Sequence, residues 1–274
     1  MRNGAAGAVG KSGAAPALAV AISLLFCAPL VLAQAARTAA ANSANVQPVA
    51  QEPDLSGVWA ISPSNRSWDP NDPEGKNPDQ LPMTPWGREE LKAAKAPFGA
   101  DQTFSNINDP VQKYCDPPGV TRLYTSPWQF SIVQSPARVD ILFEYFRIWR
   151  TVTMNREHAK DLDPTWLGDS VGKYEGDTLV IDTVGLNGRT WLDQLGHPQS
   201  DAAHIIERMR RLNHDTLELE LTVNDPKSYT KPFTGRRTYK LSSFPLGETM
   251  CSVSDMQSFQ KDIIDQTLPP SSPK

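Results

Sequence analysis

Side chains that could move protons are concentrated between residues 161 and 207. His197 follows Asp193 by four residues, and a carboxylate so placed can orient an imidazole that accepts a proton. Glu207 could then act as the acid. These residues predict general acid–base catalysis, but a loop histidine also commonly bonds a backbone carbonyl, and an aspartate can cap a turn.

Two tryptophans in the same segment could hold a ring. Trp166 and Trp191 predict an aromatic wall for a sugar or a flat ring. Arg189 and His204 would supply polar contacts to the same ligand. The alternative is that both indoles close one end of the fold, which is the usual role of a large apolar side chain.

The histidines could also bind a metal ion, because His204, His197 and Asp201 lie close in sequence. Their spacing is irregular compared with known ligand motifs. The sequence contains no Gly-rich phosphate loop, G-x-S-x-G elbow or HExxH motif. We therefore predict no metal site and no cofactor.

The N-terminus has the pattern of a signal peptide over residues 1–33. Arg2 and Lys11 precede an apolar run over residues 17–32, and residues 31–33 provide a cleavage site. A membrane anchor is the alternative, but a run of about 16 residues is short of the roughly 20 that span a bilayer. We predict a periplasmic or secreted protein with no membrane span after cleavage.

Signal cleavage leaves two cysteines, Cys115 and Cys251. A disulfide between them is expected in an oxidising compartment, with two buried free thiols as the alternative. Closing so long a loop would stabilise the fold by roughly 4–5 kcal/mol in the chain-entropy account.

The net charge argues against a polyanionic partner. The whole chain carries −4, and losing Arg2 and Lys11 without any acid makes the mature chain −6. Nucleic acid is therefore not an expected partner, and a small molecule is. The sequence leaves the oligomeric state open.

Composition divides the mature chain into three parts. Residues 34–52 are rich in Ala, Asn, Gln and Ser, which predicts a disordered linker. Residues 266–274 predict a flexible tail. The region between them, 53–265, is expected to form one domain.

The first part of that domain is rich in proline, which predicts an irregular N-terminal wrap before Pro127. One short helix should interrupt it. Thr84 can cap this helix, Pro85 suits its first position, and Pro97 stops it.

From Gln129 onward, short β-rich runs alternate with turn residues, which is typical of an antiparallel meander. With residues 56–61 they make about eight or nine strands. Closure of that number removes exposed edges and leaves an interior for side chains or one small ligand. We therefore predict an all-β barrel. The expected strands are 56–61, 130–133, 139–145, 148–154, 171–174, 178–183, 234–241 and two that flank residues 213–215.

Alternation over residues 204–212 places Ile205, Glu207 and Met209 on one apolar face. A buried carboxylate must pair, accept hydrogen bonds or hold a proton, and Arg237, on the inner face of the last strand, could be its partner. A helix over residues 202–211 is the alternative, because Ile205 and Met209 also fit helical spacing. The strand is preferred, since the turn and strand that follow mirror the preceding hairpin.

Several motifs resemble those of a family of exported bacterial proteins without assigned function. They include YEGDTLVIDT over residues 174–183, and WLD followed by GHP over residues 191–198. The resemblance implies no reaction. Members of that family often have Trp in place of Tyr174 and His in place of Gln199, which argues against a metal at His197. The full set of similar stretches is 158–163, 164–166, 172–183, 191–193, 196–198 and 225–230.

A second resemblance is to lipocalin-type barrels, through the residues Gly57-Val58-Trp59 and Arg236 or Arg237. It implies a lipocalin-like barrel whose Trp59 packs at the closed base beneath that arginine.

Three functions fit this sequence. The preferred hypothesis is an exported β-barrel that binds a small, partly apolar or ring-containing molecule. The alternative is an acid–base hydrolase, lyase or isomerase on the same scaffold, which would use His197, Asp193 and Glu207. A purely structural role in the envelope would need neither pocket nor ligand.

Overall fold

The computed structural model describes residues 53–61, 66–96 and 108–254. All of them fall in the compact unit Glu52–Lys274. The predicted signal peptide (1–33), linker (34–52) and tail (266–274) lie outside the described residues, as does Pro97. Within the described residues, no helix has the length and apolarity to cross a membrane.

Nine strands close into a barrel in sequence order, with β1 next to β9. The predicted all-β barrel is confirmed. The strands are β1 (Gly57–Ile61), β2 (Phe130–Ser135), β3 (Arg138–Phe143), β4 (Trp149–Met154), β5 (Asp169–Glu175), β6 (Thr178–Val184), β7 (His204–Asn213), β8 (Thr216–Asn224) and β9 (Phe233–Leu241).

The pairing of β4 with β5 departs from the expected antiparallel meander. These strands run parallel through Thr153↔Val171 and Met154↔Gly172, whereas the other neighbours are antiparallel. A parallel pair needs a crossover of about a dozen residues or more. Residues 155–168 form it, and they carry Trp166 to the outside of the barrel mouth.

The β5–β6 hairpin turns at Gly176, whose φ of +64° lies in the left-handed region that glycine tolerates. Glu175 and Thr178 pair on either side of it. The predicted strand over residues 204–212 is also confirmed, because β7 pairs with β6 and β8. The helical alternative is wrong.

Side chains fill the interior, where alternate residues of every strand meet. On β8, Leu217 and Leu219 are fully buried, as the alternation predicts. Tyr124 reaches in from beyond the wall and packs edge-on against Phe130, with ring centroids 5.4 Å apart. Each such aromatic ring stabilises the fold by about 1.5–3 kcal/mol through burial.

The described parts of the N-terminal wrap contain three α-helices where one helix was predicted, together with a 3-10 turn at Pro78–Gln80. The helices are α1 (Pro85–Ala94), α2 (Pro110–Tyr114) and α3 (Val120–Leu123). The predicted helix is α1, and Thr84 caps it by accepting a hydrogen bond from Gly87 N at 3.0 Å. Helix α3 leads directly into Tyr124, so it carries the aromatic plug of the barrel.

The predicted disulfide is present between Cys115 and Cys251, with a Cα–Cα distance of 5.7 Å. It ties the end of α2 to the segment that follows β9. The enclosed loop therefore contains eight of the nine strands, and the bond restricts the unfolded chain more than it restricts the barrel.

Trp59 is fully buried, but its cation differs from the one that the lipocalin resemblance implies. The guanidinium over its ring belongs to Arg211 of β7, 5.1 Å from the centroid. Arg237 instead lies over Trp68, at 4.9 Å. The reason is that residues 66–69 cross the inner side of β9 at Gly235, where an added Cβ would meet Trp68 O at 2.5 Å.

Candidate functional site

The residues predicted to carry acid–base chemistry lie in two different buried clusters. Glu207 is inside the barrel on β7, whereas Asp193 and His197 lie in the connection between β6 and β7. The two hydrogen bonds that the structure describes for Glu207 both come from Arg150. Neither of them joins Glu207 to Asp193 or His197.

Glu207 pairs with Arg150 of β4, so the expected pairing with Arg237 is wrong. Arg150 Nη1 donates to Glu207 Oε1 at 2.9 Å and Nη2 donates to Oε2 at 2.6 Å. Both side chains are almost fully buried, at 2% and 0% exposure. Closure of the barrel brings β4 within reach of β7 across the interior. This long-range arrangement makes Arg150, and not Arg237, the partner of Glu207.

Hydroxyl oxygens accept further hydrogen bonds from the guanidinium of this pair. Arg150 Nε and Nη2 donate to Ser170 Oγ, and Nη2 also donates to Thr183 Oγ1 at 2.6 Å. Burial alone would lower the pKa of Arg150, but Glu207 outweighs it and the pKa is raised. Burial raises the pKa of the neighbouring Tyr124, and the Glu207 carboxylate adds to that rise. Both oxygens of the Glu207 carboxylate are therefore engaged by Arg150, and the pair joins β4 to β7 inside the barrel.

Asp193 orients His197 as the sequence predicted. The two side chains meet at 2.7 Å between Oδ2 and Nδ1. Trp68 N and Leu195 N also donate to the carboxylate, at 3.2 and 2.9 Å. Burial would raise the pKa of Asp193, but His197 and these donors outweigh it, so the pKa lies below its ordinary value of 3.8.

The His197 ring is fully buried. Gly196 has a φ of +82°, and its α-carbon lies so close to Ala94 that an added Cβ would be 2.7 Å from that methyl group. The connection is therefore pressed against α1. The dyad ties this connection to residues 66–69, and a catalytic role for His197 stays a prediction.

Trp191 does not share a surface with Trp166. It is buried beside Ala94 and Ala96. The Arg122 guanidinium lies 5.2 Å from its ring centroid and is itself paired with Asp109, Nη1 to Oδ1 at 2.7 Å. The Trp191 indole therefore packs between α1 and the connection from β6 to β7, and its role as a ligand contact stays a prediction.

His204 stands at the start of β7 and contacts Asp182 Oδ1 through Nε2 at 2.7 Å. His158 is half-buried, and its ring nitrogens face Asp169 at 2.8 Å and Asp182 at 3.1 Å. These contacts show that the crossover between β4 and β5 folds back over β5 and β6. In the described part of the chain, no three His, Cys, Asp or Glu residues are arranged to hold a metal ion.

Trp166 and Arg189, both predicted ligand contacts, do come together. The Arg189 guanidinium lies 4.8 Å from the indole centroid. A backbone bridge between Thr165 and Leu186 fixes the two loops that carry them. The Trp166 indole is half-buried, and a cation over such a ring contributes about 0.5–2 kcal/mol.

Trp166 lines an open pocket of about 340 Å³ on the outside of the barrel. Trp149, the first residue of β4, forms another wall and is 69% exposed. An exposed ring of this size beside a concavity is more informative than an isolated surface leucine. The residues that line the pocket are Pro117, Arg147, Ile148, Trp149, Thr165, Trp166 and Leu167.

The turn that leads into this pocket is strained. Phe146 and Arg147 are consecutive non-glycine residues with φ of +58° and +54°. The left-handed conformation costs about 1–2 kcal/mol per residue. Aromatic contacts hold the turn, with Tyr145 stacked on Trp128 at 6.2 Å between centroids. Backbone strain of this kind is concentrated at active sites and ligand-binding sites.

Trp149 and Arg147 were missed by the sequence interpretation, which treated residues 148–154 only as a strand. A signal was available in the order of residues 149 and 150. Trp149 points outward and Arg150 points inward, the reverse of what apolar burial favours. An inverted order of this kind is not explained by packing of the core and is typical of functional or strained positions.

Comparisons with known proteins identify no relatives by sequence, since no described family and no curated protein matches this chain. Among solved structures, the chain is similar to the REP1-NXSQ fatty acid transporter at 13% identity and a TM-score of 0.33, over 70% of this chain and 98% of that one. Two variants of the fluorescent protein UnaG match at 14% identity, with TM-scores of 0.33 and 0.32, over 69% of this chain and 97% of theirs. Similarity at this level carries no argument about function. Membership of the exported family suggested by the motifs stays a prediction.

Proposed function

We propose that this protein is an exported barrel protein that binds a small, partly apolar, ring-containing molecule in the pocket between Trp149 and Trp166. The observation that carries the proposal is the open cavity with an exposed indole on its wall. A tryptophan that served only the stability of the fold would contribute more free energy if its ring were buried.

The dimensions favour a small ligand. Ligand pockets usually span roughly 300–1,000 Å³, and about 340 Å³ is near the lower end of that range. One ring or two fused rings would fill it. Each ring–indole contact adds about 0.5–1.5 kcal/mol to the free energy gained from burial.

The acid–base alternative is less well supported. It requires His197 to meet a substrate, and its ring has no exposed surface. It also requires Glu207 to transfer a proton, and both oxygens of that carboxylate accept from Arg150. Binding needs neither group, so it is the function that this geometry favours.

Export is part of the proposal and is supported by two independent features. Residues 1–33 have the pattern of a signal peptide. The Cys115–Cys251 bond is the kind of crosslink that persists in an oxidising compartment. Mass spectrometry of the protein recovered from the periplasm or medium of its host should find a mature N-terminus near Gln34. An uncleaved cytoplasmic chain would contradict this part.

The binding site can be tested by thermal unfolding with a library of aromatic, heteroaromatic and sugar compounds. A ligand that binds only the folded protein raises the midpoint. We expect hits with the wild type that disappear in Trp149→Ala and in Trp166→Ala.

Trp86→Ala is the matched control, because Trp86 is also exposed but lies on α1. Its hits should equal those of the wild type. The proposal fails if no compound raises the midpoint, or if the same compounds act equally on the variants that lack Trp149 and Trp166.

A further inference from the structure

The charge on the pocket wall limits the ligand that it can bind. Among the lining residues that the structure describes, Arg147 has the only charged side chain. Its nearest acid is Glu248, at 4.0 Å, and both side chains are more than half exposed. An exposed pair at that distance holds its partners weakly, so the guanidinium is available to another anion.

The other walls offer few hydrogen bonds. Pro117, Ile148 and Leu167 are apolar, and the Thr165 hydroxyl already accepts from Gly168 N at 2.9 Å. A sugar that entered this cavity would leave several hydroxyl groups without partners, and each would lose part of its hydration. The lining is therefore better suited to an apolar ring than to a carbohydrate.

The positive charge at this edge is held in place by the backbone. Arg147 has a φ of +54°, and its N–H donates to Glu144 O at 3.2 Å, so the turn directs its side chain to the pocket. A planar guanidinium binds a carboxylate through two parallel hydrogen bonds. Arg189 adds a second cation close to Trp166 and forms no ion pair within the described residues.

We infer that the ligand is a planar aromatic acid, with its ring against the two indoles and its anionic group on Arg147. The inference rests on the proposed binding function and adds the chemical class of the ligand. Apolar burial and ring contacts would supply most of the affinity, and the ion pair would select the acid over neutral rings.

The test compares naphthalene-2-carboxylate with naphthalene-2-carboxamide, which has a similar shape and no charge, by isothermal titration at low salt. We expect the wild type to bind the acid about tenfold more tightly, which corresponds to about 1.4 kcal/mol. In Arg147→Gln, binding of the acid should fall to the level of the amide, and binding of the amide should not change.

Arg138→Gln is the control, because Arg138 is an exposed arginine at the far end of β3 from the pocket. It should keep the tenfold preference, and added salt should reduce that preference in the wild type. Equal binding of acid and amide by the wild type would overturn the inference and leave the proposed function intact. Binding of methyl glucoside that depends on Trp149 would also overturn the inference, and it too would leave the proposed function intact. If neither naphthalene compound nor the glucoside binds, the inference falls, and the proposed function falls with it only if the library screen also yields no ligand.

Discussion

The two sides of β4 show opposite uses of neighbouring residues. Arg150 points into the barrel, where Glu207, Ser170 and Thr183 satisfy its guanidinium. Trp149 points outward and remains 69% exposed at the edge of a cavity. The interior side holds a charge that has its partners, and the exterior side holds an apolar ring without an equivalent partner.

The contrast separates folding from function in this molecule. A buried ion pair costs desolvation free energy, which only good geometry repays, and this pair has that geometry. An exposed indole gives up about 1.5–3 kcal/mol that burial would provide. The barrel alone accounts for the inner pair, whereas packing of the core does not account for the outer ring, which forms a wall of the proposed binding pocket.

The largest effect should come from breaking the inner pair. Glu207→Gln leaves a buried guanidinium without its carboxylate, which should lower the free energy of unfolding by about 3–5 kcal/mol. Urea unfolding followed by circular dichroism measures this. Glu218→Gln, which breaks a longer surface pair with Arg210, is the control and should cost far less. The double variant Arg150→Met with Glu207→Leu should recover most of the loss, and a protein no more stable than Glu207→Gln would argue against a simple unpaired charge.

A smaller loss is expected from Asp193→Asn, which weakens the bond to His197. Charged hydrogen bonds of this kind contribute about 1.5–3 kcal/mol. Because the folded pKa of Asp193 is depressed, its stabilisation is complete above its ordinary value of 3.8 and is lost as the pH falls through the folded value. Between about pH 5 and about pH 3 the wild type should therefore lose more stability than the variant. Ligand affinity should not change, and a loss of binding without a loss of stability would point to a functional His197.

Trp149→Ala should separate the two sides of β4 most clearly. We expect ligand affinity to fall about tenfold, since the variant loses one ring contact and the apolar burial that accompanies it. The free energy of unfolding should change by no more than about 0.5 kcal/mol, as is usual for surface substitutions. Titration calorimetry and urea unfolding on the same samples give both numbers. A large loss of stability would mean that the indole is structural.

The smallest effect concerns backbone strain at the pocket. Arg147→Gly and Arg147→Ala both remove the guanidinium, but only glycine tolerates a φ of +54° without cost. The glycine variant should be more stable by about 1 kcal/mol. Both variants should lose the preference for an acid equally. Equal stability of the two would mean that this turn carries no strain.

Local patterns were sufficient to predict the barrel. Alternation identified the inner face of β7, turn residues identified the hairpins, and Thr84 with Pro85 identified α1. The parallel pairing of β4 with β5 could not be predicted in the same way. It depends on how the 155–168 crossover packs against the barrel, and no local periodicity records that.

The candidate site was only half predictable. Asp193 and His197 were paired correctly because their contact is local, four residues apart. Arg150 and Arg237 both face inward, so only the closed ring of strands could select the partner of Glu207. Trp166 was proposed as a ligand contact because it lies in a loop, and that role stays a prediction. Trp149 was missed because a tryptophan in a strand is ordinarily assigned to the core.

Closure of the barrel also has a consequence for biogenesis. Strand β1 is the first to be synthesised, and one of its two neighbours, β9, is the last. Until residues 233–241 arrive, the ring is open at β1 and β8, and both present unpaired backbone groups that attract other chains. Joining distant strands also carries the entropic penalty of closing a long loop, so folding of the barrel should be slow and should not finish before β9 is available.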